Sequence, residues 1–190
     1  MHYRKNILLT GLPGIGKTTL IHKVLNLVAQ TKGIETRKRS ITGFYTEEIR
    51  EGGWRKGFKI KTLSGDEAVL SHVEIKSPYR VGRYGIDLGE FERVAIPSMS
   101  GSQPEVSIIV IDEIGKMECF SQNFKQKVIE ALDSNKRVMA TIALKGAGFI
   151  DVVKNRKDVT LVQVTEANRN ELARILADEL TSQPGPTNSG

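Results

Sequence analysis

The sequence predicts a three-layer α/β fold with a mainly parallel central sheet, to which an antiparallel β-meander is added over about residues 41–73. Three features carry that prediction. A short apolar run at 6–9 passes through a glycine-rich turn into a pattern of helical period, residues 106–111 form a nearly unbroken β-branched run, and the stretch between them changes to alternating period.

Taken in order, Ile7, Leu8 and Leu9 make a strand that ends before Gly11. Leu20, Ile21, Val24, Leu25 and Val28 then recur at helical spacing, and Gly33 stands where a C-terminal cap falls. From 41 to 73 short segments alternate, as Phe58, Ile60 and Thr62 do against Lys59 and Lys61. Gly52-Gly53 supplies the positive φ angles of a tight hairpin between strands at 45–50 and 56–63, and Gly65-Asp66 marks a second turn. The run 106–111, interrupted only by Ser107, fits a strand buried on both faces at the centre of the sheet. Ser121 can cap a helix carrying Phe124, Val128, Ala131 and Leu132. Strands follow at 137–142 and 159–164, and Thr165 can cap a last helix with the stripe Leu172, Ile175, Leu176 and Leu180. One domain over 1–180 and a disordered tail over 181–190 account for the chain, without internal repeats.

With 39% hydrophobic residues in 190, the chain can bury a full core without staples. A single cysteine, Cys119, excludes an intramolecular disulfide and suits a reducing, cytoplasmic setting. The apolar run at 7–9 is too short for a signal-peptide core, and no segment reaches the length of a membrane span. His2, His22 and His72 lack any metal-ligand spacing.

Gly11, Leu12, Pro13, Gly14, Ile15, Gly16, Lys17 and Thr18 match G-x-x-x-x-G-K-[ST], in the strand-to-helix context that gives the pattern its meaning. The residue types follow from the ligand. Glycines let successive backbone N–H groups turn inward on a phosphate that any Cβ would hold off. A helix opening at Gly16 adds its positive end, Lys17 a full charge on the β and γ oxygens, and the Thr18 hydroxyl a ligand for Mg²⁺.

Asp112-Glu113 follows the apolar strand, which puts two carboxylates at the C-terminal edge of a parallel sheet, where ligands bind in such folds. Asp112 is placed to hold Mg²⁺ through water, and Glu113 to orient and deprotonate a water facing the γ-phosphate. A kinase must keep water from that phosphate, so the glutamate favours hydrolysis.

Over Gly11 to Thr18, and again over Asp112, Glu113, Ile114, Gly115, Lys116, Met117 and Glu118, the chain resembles the nucleoside-triphosphatase family first described from thermophiles, which has a human cancer-related member. Further matching stretches are 42–48, 81–85, 95–97, 155–158 and 164–170. The resemblance implies a Mg²⁺-dependent P-loop enzyme of the RecA-like branch that hydrolyses ATP, GTP, CTP and UTP with weak base selectivity. It also implies a nucleotide site over Leu12 to Thr19, including Thr19 itself, and over the strand end Ile109, Val110, Ile111, Asp112, Glu113, Ile114, Gly115 and Lys116, with Glu113 as base. Residues 98–105 are short and rich in Gly, Ser and Pro where relatives often carry a helix.

Transition-state charge calls for a further cation, and Lys116, Arg83 and Arg169 are the candidates, with Lys116 and Arg169 taken as catalytic. Thr141 can bond the γ-phosphate or the attacking water, or can be an ordinary strand threonine. The segment 43–48, with Tyr45, Glu47 and Glu48, can close over the nucleotide or form a sheet edge. The net charge of +6 permits nucleic acid, but Arg37-Lys38-Arg39 and Arg55-Lys56 are short and not interleaved with aromatics, so nucleic acid is not the expected partner. A monomer is expected. The competing readings are a small P-loop kinase acting on a hydroxyl acceptor and a nucleotide-dependent switch on nucleic acid.

Overall fold

The computed structural model describes residues 4–30 and 40–182; the predicted cap at Gly33, the basic run 37–39 and the tail beyond 182 lie outside them. The strands are β1 (Asn6–Thr10), β2 (Ser40–Glu51), β3 (Trp54–Thr62), β4 (Glu67–His72), β5 (Arg80–Val81), β6 (Tyr84–Ile86), β7 (Val106–Ile114), β8 (Arg137–Ile142) and β9 (Val159–Gln163). The helices are α1 (Lys17–Gln30), α2 (Leu88–Ser98), α3 (Gln122–Asp133), α4 (Phe149–Lys154) and α5 (Arg169–Thr181). Among the described residues the strands form one sheet in the order β5-β6-β4-β3-β2-β7-β8-β1-β9.

The half from β2 to β9 is parallel, and the half from β3 to β5 is antiparallel. Burial divides by strand parity. Ile7, Leu9, Ile108, Val110 and Met139 face the layer of α1 and α5. Leu8, Ile109, Ile111, Val138 and Ala140 face the layer of α2, α3 and α4. Strands apolar on both faces therefore give the predicted three layers.

β2 joins the halves. It pairs antiparallel with β3, Phe44 opposite Thr62, and parallel with β7, Phe44 opposite Ile111. The stretch predicted as pure meander thus contributes one strand to the parallel sheet; within segment 43–48, Phe44 is paired on both sides, whereas residues 45–48 pair with β3 alone. The hairpin turn is as expected: Gly52 and Gly53 have φ of 55° and 82°, with Glu51 paired to Trp54.

Helix α2 was not foreseen. Asp87 accepts from the Glu90 N–H at 3.0 Å, and Phe91, Val94 and Ala95 are buried, but Gly89 and Pro97 obscure the helical period. Pro97, which lacks the N–H for a bond back to Arg93 O, is followed by the end of the helix at Ser98. Residues 99–105 have no helix. β7 continues past Ile111 through Asp112 and Glu113, whose connecting peptide bond is cis, to Ile114. Ser121 caps α3 as predicted, accepting from the Phe124 N–H at 2.8 Å. Thr165 and Asn168 accept reciprocally from each other's N–H and lead into α5, which starts at Arg169. The buried face of α5 is Leu172, Ala173, Leu176, Ala177 and Leu180; Ile175 is exposed. No helix among the described residues is long and apolar enough to cross a membrane.

Candidate functional site

The loop between β1 and α1 is held against the end of β9. Val164 N–H donates to Thr10 O at 2.7 Å, and a Cβ on Gly11 would stand 2.7 Å from Val164 O, so only glycine allows this approach. α1 closes its first bond from Leu20 N–H to Gly16 O at 2.8 Å; Ile15 N–H donates to Leu12 O at 3.2 Å, and the N–H groups of residues 16–19 have no partner among the described residues. Lys17 folds back across the loop and donates from Nζ to Gly11 O at 3.3 Å.

Topology then assembles the acidic half of the site. β8 lies between β7 and β1, and its Thr141 stands opposite Leu9 of β1, one step beyond the Ala140–Ile111 pairing. That register brings the Thr141 hydroxyl onto Asp112 Oδ1, to which it donates. Thr18 Oγ1 donates to Asp112 Oδ2 at 2.7 Å, and both the N–H and the hydroxyl of Thr46 approach the same oxygen at 3.4 Å. Asp112 is 1% exposed, and every hydrogen bond given to it comes from a neutral group. A buried carboxylate so placed retains its demand for a positive partner.

Glu113, the next residue, turns into the open cavity beside Lys17. Burial raises its carboxyl above the usual range, with Lys17 opposing and Asp112 adding to the rise. Glu118 is a further buried acid, pushed up to about 8 chiefly by burial and then by Glu113. A Cβ on Gly115 would lie 2.8 Å from Glu118 Oε2 and 3.2 Å from Glu113 Oε1, so both carboxyl groups close over one backbone point. The short spacing of the acidic motif thus packs two carboxyl groups against one glycine.

The cavity above the loop has a volume of about 710 Å³, within the ~300–1,000 Å³ typical of small-molecule sites. Its floor is the glycine loop with Lys17, Thr18 and Thr19. One wall comes from the β2–β3 hairpin, with Thr46, Glu47, Glu48, Arg55 and Phe58. The other comes from residues 143–145 after β8. Leu12, Pro13 and Gly14 line it, whereas Ile109, Val110 and Ile111 are fully buried in the sheet and hold the acidic pair in place from behind.

The predicted cations separate. Arg169 donates to Ile15 O at 3.1 Å and lines a flanking cavity with Gly14, Gly16, Thr19 and Lys23. Lys116 lines another cavity with Arg80, Phe120 and Phe149. Arg83 lies over Tyr84 and beside Trp54, away from the loop. Sequence reasoning missed Thr46, Arg55, Phe58 and Lys145. The segment of Thr46 was noticed for its acids, but nothing local distinguishes a hairpin arginine or a loop lysine that the fold carries to the cavity.

A family model described as NTPase matches residues 6–177. The chain belongs to this nucleoside-triphosphatase family. The nucleoside-triphosphatase THEP1 of Thermotoga sp. (strain RQ2) is 46% identical over 94% of this chain and 97% of its own. The human cancer-related nucleoside-triphosphatase is 42% identical over 88% of this chain and 92% of its own. Among solved structures, the family's THEP1 from the hyperthermophile Aquifex aeolicus superposes with a TM-score of 0.80 at 33% identity, covering 93% of this chain and 99% of that one. The family fold, an α/β P-loop fold with a mostly parallel sheet and added antiparallel strands, is therefore the fold of this chain.

Proposed function

We propose that the protein is a Mg²⁺-dependent phosphohydrolase that cleaves the β–γ bond of ATP, GTP and other nucleoside triphosphates with little base discrimination. The observation that carries this is the placing of the Glu113 carboxyl in the same cavity as Lys17 and Thr18. The free N–H groups of the loop and Lys17 bind the β and γ oxygens. Glu113 orients a water and takes its proton as the water oxygen bonds to the γ-phosphorus; the bond to the β–γ bridging oxygen breaks, leaving diphosphate and phosphate. Burial raises its proton affinity, which strengthens it as a proton acceptor once ionised.

The donor set fits Mg²⁺. Thr18 Oγ1 donates to Asp112 Oδ2 at 2.7 Å, and among the described residues no ion pair reaches the buried Asp112. Mg²⁺ asks for one or two such oxygens together with phosphates and waters. Bound there, the ion would neutralise charge on the β and γ oxygens. Low base selectivity is supported by the apolar side chains of Leu12, Phe58 and Leu144 that line the cavity, on which any base can lie.

Phosphate release from ATP, GTP, CTP and UTP, with and without Mg²⁺, tests this. Release from several nucleotides only with the ion is expected. Transfer to an added hydroxyl acceptor without free phosphate would replace hydrolysis by a kinase reaction.

A further inference from the structure

Transfer of a γ-phosphoryl group to water spreads charge over oxygens that one loop lysine does not fully cover, so a second cation is expected at the reacting end. The cations near the loop differ in how they are held. Lys17 belongs to the loop itself, while Arg169 is docked on Ile15 O and lines the flanking cavity. Lys116 opens onto a different cavity. Arg55 is on the correct wall, but its guanidinium is engaged by Glu48 at 2.6 Å and by the Tyr84 hydroxyl at 3.2 Å.

Among the described residues, Lys145 is the remaining cation on the cavity that holds Glu113. It lies just past β8, the strand that sets Thr141 on Asp112. The backbone before it is tied on both sides: Ala143 N–H donates to Ile114 O at 3.2 Å, and Lys154 Nζ donates to Leu144 O at 2.8 Å. Its own ammonium is exposed and makes no hydrogen bond or ion pair among the described residues. A backbone tied on both sides thus carries, on a flexible stem along the cavity that holds Glu113, a positive charge without a partner among the described residues.

We propose that Lys145 is a catalytic cation that contacts the γ-phosphate of the bound nucleoside triphosphate and stabilises the charge of its transfer. This rests on the phosphohydrolase reading above. The mainly transition-state character of the contact means that kcat, more than KM, should depend on it.

The test compares the unsubstituted protein with Lys145→Ala and Lys145→Arg in phosphate release. It adds amine acylation of the unsubstituted protein, read by mass spectrometry, with ATP or ADP present. Lys145→Ala is expected to lose ~10²-fold in kcat with KM within about threefold, and Lys145→Arg to recover part of the loss. ATP is expected to shield Lys145 from acylation more than ADP does. A kcat for Lys145→Ala within about threefold of the unsubstituted protein, or equal shielding by ATP and ADP, overturns the proposal. Phosphate release by the unsubstituted protein keeps the phosphohydrolase reading in either case; its absence removes both.

Discussion

The two halves of the sheet are built on different rules. In the parallel half, β1, β7 and β8 are buried almost throughout, so each strand is apolar on both faces and polar groups appear only where it ends. In the antiparallel half, β3 and β4 alternate between buried and open positions, and Lys59 and Lys61 form a charged ladder with Glu47 and Glu67. The difference is functional as well as structural. The parallel half brings loop, Thr141, Asp112 and Glu113 to one edge, while the β2–β3 hairpin that joins the halves lends a wall through Thr46, Glu48, Arg55 and Phe58.

Changes at that edge of the parallel half should have the largest effects. Glu113→Gln should lose at least ~10²-fold in phosphate release while keeping nucleotide affinity, whereas Lys17→Ala should lose binding and turnover together. A Glu113→Gln variant with normal turnover would detach the acidic edge from the chemistry. Behind that edge, Ile109→Ala should lower stability by ~2–5 kcal/mol in urea titrations, because Ile109 is fully buried between layers. Its counterpart in the other half, Val69→Ala, is 40% exposed and should cost less than ~1 kcal/mol. Equal losses would erase the contrast.

Glu118 gives a pH test of the same edge. Its acid is raised from 4.5 to about 8 in the folded protein, so between those values the folded state holds more protons than the unfolded state. Stability from this group is therefore undiminished below about 4.5 and declines as pH rises toward about 8, by at most ~1.4 kcal/mol per pH unit. Glu118→Gln should flatten that part of a melting-temperature profile; an unchanged slope would mean that the acid is hydrated. The smallest effect belongs to the charged ladder. Lys59→Ala should change stability by less than ~1 kcal/mol, and by less still at high salt.

Local chemistry made much of this legible. The glycine loop and the Asp112-Glu113 pair could be found because their residue types answer directly to a phosphate and a water. Helix α2 was hidden because Gly89 and Pro97 weaken a period that the burial of Phe91, Val94 and Ala95 enforces. Thr141 stayed ambiguous for another reason: a strand threonine acquires its meaning from the neighbour opposite, here the fully buried Asp112 contact. Lys116 and Lys145 illustrate the limit. The lysine three residues past Glu113 opens onto another cavity, and the one 32 residues past it shares the cavity of Glu113.

By itself, the sequence determined the periodicities of most elements, the phosphate loop and the identity of the acids, since each depends on neighbours within a few residues. Only the tertiary structure decided that β2 would bridge both halves, that β8 would lie between loop and acids, and which cations would face the cavity. Those outcomes depend on strand order and register, which arise from burying both faces of a sheet at once, and no short stretch of chain contains that information.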